Sequence, residues 1–238
     1  MTPDPAAIDT DARDHVIVEG PDAMTYLHSQ IAQDIRDLAV GESRWTLVLE
    51  PTGKIDSLAR VVRTGDERFD FDIDAGFGDA LAARLNRFKI RVEADVSVMP
   101  AASTEPSDAH EAARVIAGWP RMGAEIEPGE TIPAVTGVVP LAVSFTKGCY
   151  PGQELVERMD SRGADAPRSL RIVEATDGMQ VGSPLVDRAG AEVGTITSVS
   201  PHGDLALAYV KRGHDIGRLP AHLAATALES ENDPEILL

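Results

Sequence analysis

The residue of this sequence with the most versatile chemistry is its single cysteine, Cys149, in Lys147-Gly148-Cys149-Tyr150-Pro151-Gly152-Gln153-Glu154. The thiolate is the nucleophilic and redox-active form of cysteine, and a nearby cation or the positive end of a helix favours it. Lys147 is such a cation, and residues 153–159 have the pattern of a helix. The spacing therefore predicts a reactive cysteine in a loop that runs into a helix.

The same residues also have an ordinary structural interpretation. Free cysteine is among the most buried residue types, so Cys149 can equally be a small core residue. Lys147 can be a solvated loop charge and Tyr150 a core ring. Gly148 and Gly152 permit turns that a β-carbon would oppose, which favours a presented thiol. The residues alone leave both interpretations open.

The elements that must position this loop have an α+β pattern. A strand is predicted at 143–145, immediately before the loop. Upstream, the periodicity predicts a strand at 15–19, a helix whose apolar stripe runs from Met24 to Leu38, and an antiparallel meander over 45–74. A second helix over 81–88, an alternating strand at 90–98 and a helix from Ser107 to Gly118 follow.

The last strand of the meander alternates apolar and acidic residues. Phe69, Phe71 and Ile73 are predicted to face the core because successive side chains of a strand point to opposite faces. Asp70, Asp72 and Asp74 then share the other face, which we expect to be solvated.

The pattern changes after Pro167 to short strands separated by turns, which predicts a small C-terminal β-barrel. We therefore expect one region at 1–166, with a break between two subdomains near 100–107, and a second at 167–238 that ends in an acidic tail at 229–235.

Composition excludes several classes of function. The chain has 22 basic and 39 acidic residues among 238, a net charge of −17, which opposes bulk nucleic-acid and anionic-membrane binding. One cysteine and no Cys/His cluster predict that no metal is bound. Residues 1–14 lack the features of a signal peptide and no run is long enough to span a bilayer, so we expect a cytoplasmic protein.

The cysteine segment, followed by Arg158, resembles the defining motif of the YgfZ proteins, which are relatives of the glycine-cleavage T-protein. Other matching positions are spread over nearly the whole chain: Gly20, Asp22-Ala23, Pro51-x-Gly53-Lys54, Arg114, Gly118, Ile132-Pro133, Gly163, Arg168 and the strands from Gly194 to Tyr209.

The resemblance implies a T-protein-like, folate-binding fold, with antiparallel sheets and helices around a central cavity that the Cys149 sulfur faces. It implies that tetrahydrofolate or a derivative is bound and that the partners are iron–sulfur proteins or their assembly factors. The predicted catalytic residues are Cys149, Lys147 and Tyr150. The predicted folate-binding residues are Gly148, Gly152, Gln153, Glu154, Arg158 and Trp119. Trp119 can stack on a planar ligand, although a lone tryptophan more often belongs to the core.

Two departures from the T-protein pattern bear on the reaction. T-proteins carry Arg-x-Glu-Ala-Gly where this chain has Arg114-Val115-Ile116-Ala117-Gly118, and an isoleucine cannot make the hydrogen bonds of that glutamate. The T-protein aspartate beside the reacting folate nitrogen has three candidates here, Asp72, Asp74 and Asp79. We therefore expect that aminomethyl transfer is not the reaction of this chain.

Three functions stay open at this stage. The first is support of iron–sulfur proteins through Cys149 with folate bound. The second is a tetrahydrofolate-dependent one-carbon transferase or demethylase. The third is a non-catalytic folate-sensing module that docks on a partner enzyme.

Overall fold

The computed structural model describes residues 12–161 and 166–220. Residues 1–11, Gly163 and the acidic tail at 229–235 lie outside this description.

The larger of two sheets forms the centre of the molecule. Its five antiparallel strands are β1 (Arg13–Glu19), β2 (Ser43–Leu49), β3 (Ile55–Gly65), β4 (Arg68–Asp74) and β5 (Asp95–Met99), in the order β2-β3-β4-β1-β5. The predicted meander is β2-β3-β4. Phe69, Phe71 and Ile73 are fully buried, as their alternation predicts.

Five helices accompany the strands in the described residues: α1 (Ala23–Gln30), α2 (Gly78–Arg87), α3 (Asp108–Ala117), α4 (Val139–Ala142) and α5 (Gln153–Ser161). The prediction of one helical stripe as far as Leu38 is wrong. The chain becomes extended at Ile31, which bridges to Val48 of β2. Ile35 and Leu38 are buried and flank a turn at 36–37. Their spacing therefore comes from packing in the core and not from a helix.

The strand predicted at 90–98 is also shorter than expected, because β5 begins only at Asp95. Before it, the Glu93 backbone carbonyl accepts a hydrogen bond from the backbone N–H of Asp22 at 3.2 Å. The Glu93 backbone N–H donates one to the Asp22 carboxylate at 2.8 Å. A β-carbon on Gly20 would lie 2.5 Å from the Glu93 oxygen. Residues 90–94 are therefore held by the loop before α1, and Ile90 is 77% exposed.

The acidic face of β4 is not solvated as predicted. Asp72 is buried, and its carboxylate accepts hydrogen bonds from Arg13 of β1 at 2.5 Å and from Arg60 of β3 at 2.6 Å. Burial opposes ionisation of Asp72, but the two guanidinium groups outweigh it and hold its pKa below the ordinary value. This ion cluster ties three neighbouring strands together.

The C-terminal region forms a second antiparallel sheet from β6 (Arg168–Glu174), β7 (Pro184–Val186), β8 (Glu192–Val199) and β9 (Leu205–Lys211), in the order β6-β9-β8-β7. Within 166–220, β6 and β7 do not pair with each other, so this sheet is open and is not the closed barrel predicted. Its residues Leu170, Ile172 and Tyr209 pack with Val115 of α3. The region boundaries at 166 and 167 stay a prediction.

The buried ion cluster predicts a specific acid lability. Asp72→Asn leaves the half-buried Arg60 without its acidic partner and the buried Arg13 with Asp74 alone, so we expect a loss of about 3 kcal/mol in the free energy of unfolding at pH 7. Because the folded-state pKa of Asp72 is lowered, this contribution is complete above the unfolded pKa of about 3.9 and is lost as the pH falls through the folded value.

Urea unfolding of the wild type and of Asp72→Asn from pH 7 to pH 2 measures this contribution. The difference between them should shrink below about pH 4. Asp70→Asn, two residues earlier on the same face and less buried, is the matched control. An undiminished difference at pH 2 would show that the carboxylate charge is not the cause.

Candidate functional site

A partly open cavity of about 290 Å³ is lined by residues of β1, β2, β4 and α3, by the segments 75–77 and 104–106, and by the loop that follows α3. The lining side chains with polar or aromatic character include Arg13, Trp45, Asp74, Glu111, Trp119 and Arg121. Pockets that bind small molecules combine an apolar wall with a few polar groups in this way.

Two tryptophans form the aromatic wall of the cavity. The Trp45 and Trp119 rings lie 4.5 Å apart between centroids at an angle of 47°. Trp119 follows the C-cap Gly118, whose left-handed φ of 71° ends α3, and its carbonyl accepts a hydrogen bond from Arg114 at 2.7 Å. The Trp119 ring is therefore buried and also lines the cavity, and its stacking on a ligand stays a prediction.

Asp74 is the acidic group at the end of β4 that reaches the cavity. One carboxylate oxygen pairs with Arg13, and the other accepts the backbone N–H of Met122 at 3.0 Å. Asp72 is sealed between two arginines, and Asp79 is exposed at the start of α2 without lining the cavity. Of the three aspartates that the sequence left in competition, the structure places Asp74 at the cavity.

A buried polar network fixes the α3 side of the cavity. Arg114 pairs with Glu111 and with Glu125, and Ser198 of β8 bonds to both Arg114 and Glu125 at 2.7 and 2.6 Å. The pKa of Glu111 is lowered because Arg114 outweighs the effect of burial. Sequence reasoning missed Glu111 and Glu125, although Glu111 lies one helical turn before Arg114, the spacing at which opposite charges pair.

The cysteine loop lies elsewhere in the molecule. Cys149 is exposed, and a β-carbon on Gly148 would meet no atom within 4 Å. This exposure agrees with a presented thiol and contradicts a core cysteine. The strand predicted at 143–145 is wrong, because the chain is irregular there and makes a backbone bond from Ser144 to the Ala32 carbonyl.

Lys147 anchors this loop to the end of α1. Its ammonium donates hydrogen bonds to the carbonyls of His28 at 2.6 Å, of Gln33 at 3.4 Å and of Ile31. A cation at a helix C-terminus is favoured by the carbonyl groups left unpaired there. Burial lowers the pKa of Lys147 to about 8, against the opposing effect of Asp34. An effect of Lys147 on the sulfur stays a prediction.

Tyr150 is a buried residue of the loop. Its ring lies 4.9 Å from the Lys147 ammonium, and its hydroxyl has no hydrogen-bond partner in the described residues. Burial, followed by Glu157, raises the pKa of Tyr150 to about 12. The backbone N–H of Tyr150 donates to the Gln153 side chain at 2.8 Å, which closes the turn before α5.

Gly152 holds the loop against the β2–β3 turn. Its φ is 82°, and a β-carbon there would lie 2.3 Å from the Glu50 carbonyl oxygen and 2.8 Å from the Leu49 β-carbon. Gly53 in the same turn approaches Leu155 of α5 equally closely. These contacts require glycine at both positions.

The cavity and the cysteine loop are two separate places. None of the motif residues 147–154 lines the cavity, and the exposed Glu154 and Arg158 on α5 do not line it either. Gly152 lies against Leu49, which is four residues along β2 from Trp45, roughly 13 Å at about 3.3 Å per residue. Cys149 does not line this cavity, and an action of its sulfur on a bound folate stays a prediction.

In the two ranges 12–161 and 166–220, no three His, Cys, Asp or Glu side chains converge as metal ligands would. None of the helices found there has the length and apolar character needed to cross a bilayer.

The fold is that of an aminomethyltransferase. The chain superposes on the glycine cleavage system aminomethyltransferase T from Bartonella henselae with a TM-score of 0.73, covering 90% of this chain and 85% of that one at 18% identity. An uncharacterized protein of Haemophilus influenzae is 26% identical, over 76% of this chain and 79% of its own length. No family model matches the sequence.

The position that carries glutamate in the T-protein pattern is occupied here by Ile116, which is 41% exposed and does not line the cavity. The acidic groups that α3 and β4 do bring to the cavity are Glu111 and Asp74.

The close contact at Gly152 predicts that one added methyl group lowers the free energy of unfolding substantially. Gly129→Ala meets no atom within 4 Å and carries only the positive-φ cost, roughly 1 kcal/mol. Gly152→Ala adds the clash with the Glu50 carbonyl, so we expect its loss of unfolding free energy to exceed that of Gly129→Ala by about 1–3 kcal/mol.

Urea unfolding of both variants measures this difference. Equal losses would mean that the loop moves away from the β2–β3 turn without cost.

Proposed function

We propose that this protein is a YgfZ-type relative of the T-protein, binds tetrahydrofolate or a derivative in the cavity, and supports the assembly or repair of iron–sulfur proteins through Cys149. The observation that carries the proposal is the cavity walled by Trp45 and Trp119 with the Asp74 carboxylate beside them, in a chain that also presents an exposed cysteine.

The cavity suits the bicyclic head of a folate. Its volume of about 290 Å³ is near the lower end of the range of roughly 300–1,000 Å³ for ligand pockets. Indole rings offer a flat apolar wall for a planar heterocycle. Ring nitrogens that carry hydrogen need acceptors, and the Asp74 oxygens retain lone pairs beyond those that Arg13 and Met122 use. The rest of a larger ligand would extend out of the cavity.

Because the cavity and the cysteine loop are separate, folate binding belongs to the cavity and the reaction at sulfur belongs to the loop. The cavity in which a folate is bound against the wall formed by Trp45 and Trp119 is not lined by Cys149, so the sulfur acts on a molecule that reaches it from solvent. One thiolate supplies one ligand to an iron–sulfur cluster, and a cluster needs several. A partner protein or a small thiol must therefore complete any cluster contact. Lys147 and Tyr150 hold the loop that presents the sulfur.

A tetrahydrofolate-dependent one-carbon transfer is the second candidate, and one observation favours it. Asp74 reaches the cavity from the end of β4, and T-proteins use an aspartate beside the reacting folate nitrogen. The absence of a glutamate at Ile116 argues against the aminomethyl reaction itself. A third function, as a folate-sensing module, has no specific observation in its favour.

Substitutions in the cavity and at the cysteine should have separate effects. Trp119→Leu should weaken tetrahydrofolate binding by roughly tenfold or more, because aromatic stacking on a heterocycle contributes about 1–3 kcal/mol. Cys149→Ala should leave the affinity within about twofold while abolishing function in cells. Anaerobic calorimetry with tetrahydrofolate measures binding. Recovery of an iron–sulfur enzyme under oxidative stress in YgfZ-deficient cells measures function.

Trp119→Phe is the matched control, since it keeps a ring and should keep most of the affinity. Melting temperatures show whether each variant is folded. Full complementation by Cys149→Ala would refute the role of the sulfur. Unchanged binding in folded Trp119→Leu would refute the cavity as the folate site.

Turnover, if the protein catalyses one-carbon transfer, should depend on Asp74. If one-carbon transfer is the reaction, Asp74→Asn should lower the rate of tetrahydrofolate-dependent transfer by a factor of about 10²–10⁴, the usual contribution of a proton-transferring group, whereas Cys149→Ala should not. Single-turnover assays with a one-carbon donor and tetrahydrofolate measure it. An Asp74→Asn variant that turns over at the wild-type rate would exclude this candidate.

A further inference from the structure

We infer that Arg121 is a carboxylate subsite at the cavity, and that Glu105 occupies it until the carboxylate tail of a ligand displaces it. This inference rests on the proposed function and specifies which part of the ligand is recognised there. In this exchange a ligand carboxylate replaces the Glu105 carboxylate on the Arg121 guanidinium group.

Arg121 has a rigid backbone and a loosely held side chain. Its N–H donates to the Glu125 carboxylate at 3.1 Å, and its carbonyl accepts bonds from residues 124–126 at 3.1–3.3 Å. Its guanidinium, with 27% of the side chain exposed, lies 3.3 Å from Glu105 and 3.9 Å from Glu111. The charge is therefore placed by a fixed turn, while the side chain itself has only long contacts.

The other two arginines that line the cavity in the described residues are committed to buried partners. Arg13 bonds to Asp72 and Asp74. Arg114 bonds to Glu111, Glu125, Ser198 and the Trp119 carbonyl. Removing either from these partners would leave buried charges unpaired, which is costly. Arg121 is the arginine of the three that can change partner.

Glu105 is suited to be displaced. Its side chain is 77% exposed, so it can leave Arg121 for water with little loss, since exposed ion pairs contribute little to stability. A ligand carboxylate restores the charge pair with the same guanidinium geometry. Arg121 also offers a local positive charge on a protein whose net charge of −17 otherwise repels anions.

The size of the cavity requires the tail of a folate to lie outside it. A volume of about 290 Å³ accommodates a bicyclic head but not a whole folate, whose benzoyl-glutamate tail must leave by an open side. Arg121 and Glu105 both line the cavity and are both accessible to solvent, so they lie where a tail can pass.

The test compares two probes that share a reduced pterin head, tetrahydrofolate and the tail-less 6-methyltetrahydropterin. Anaerobic calorimetry measures both against the wild type, Arg121→Gln and Glu105→Gln. Arg121→Gln should lower the affinity for tetrahydrofolate roughly tenfold or more and leave the affinity for the tail-less pterin within about twofold. Glu105→Gln should raise the affinity for tetrahydrofolate by about two- to fivefold and leave the tail-less pterin unaffected.

Matched controls remove one surface charge without touching the cavity. Arg68→Gln and Glu130→Gln change the exposed ion pairs of Arg68 with Glu19 and of Lys54 with Glu130, and they should alter neither affinity. They correct for the change in net charge, and melting temperatures confirm that all variants are folded.

The outcomes distinguish this inference from the proposed function. If Arg121→Gln weakens both probes equally, or neither, the carboxylate subsite is refuted while folate binding stands. If Glu105→Gln lowers the affinity for tetrahydrofolate, Glu105 assists the ligand and the displacement is refuted. If the wild type binds neither probe, the proposed function fails and this inference fails with it.

Discussion

The buried ion cluster around Arg13 is the interaction on which the rest of the structure depends. Its guanidinium joins Asp72 and Asp74 of β4, while Arg60 of β3 holds the other oxygen of Asp72. The cluster therefore fixes β1, β3 and β4 in register. It also sets the direction of Asp74, because one oxygen of that carboxylate is held by Arg13 and the other by the N–H of Met122. Arg13 lies 5.9 Å from the Trp45 ring as well, so one cation positions both the acidic and the aromatic parts of the cavity.

A second cation, Lys147, holds the cysteine loop in place. It binds the carbonyls at the end of α1, and the glycine contact between residue 152 and Glu50 holds the loop from the other side. The sulfur is thus presented by a loop whose two ends are fixed to different elements. Because this loop does not reach the cavity, a ligand bound there and a thiol partner can be engaged at the same time.

The strands and α3 set the place of the cavity, but side chains decide its chemistry. Ile116 lies outside the cavity lining, while Asp74, Glu111 and Arg121 place charges around the two tryptophans. The network of Arg114, Glu125 and Ser198 ties this wall to the C-terminal sheet. The cavity therefore combines a rigid aromatic and acidic interior with one adaptable arginine near solvent.

The amino-acid sequence by itself determined the α+β class, the meander, α3 with its Ser107 and Gly118 ends, and the loop-to-helix junction at Cys149. These follow from local periodicity and from glycine and capping preferences, which act over a few residues. Only the tertiary structure decided which of Asp72, Asp74 and Asp79 reaches the cavity. Asp72 and Asp74 have the same periodicity, but folding brings Arg13 and Arg60 to Asp72, and Arg13 and the Met122 N–H to Asp74. Likewise, the spacing from Met24 to Leu38 is helical throughout, yet packing on β2 ends α1 at Gln30. The separation of Cys149 from the cavity was also invisible in the sequence, because a motif specifies residues along the chain and not the distance between places that folding brings together.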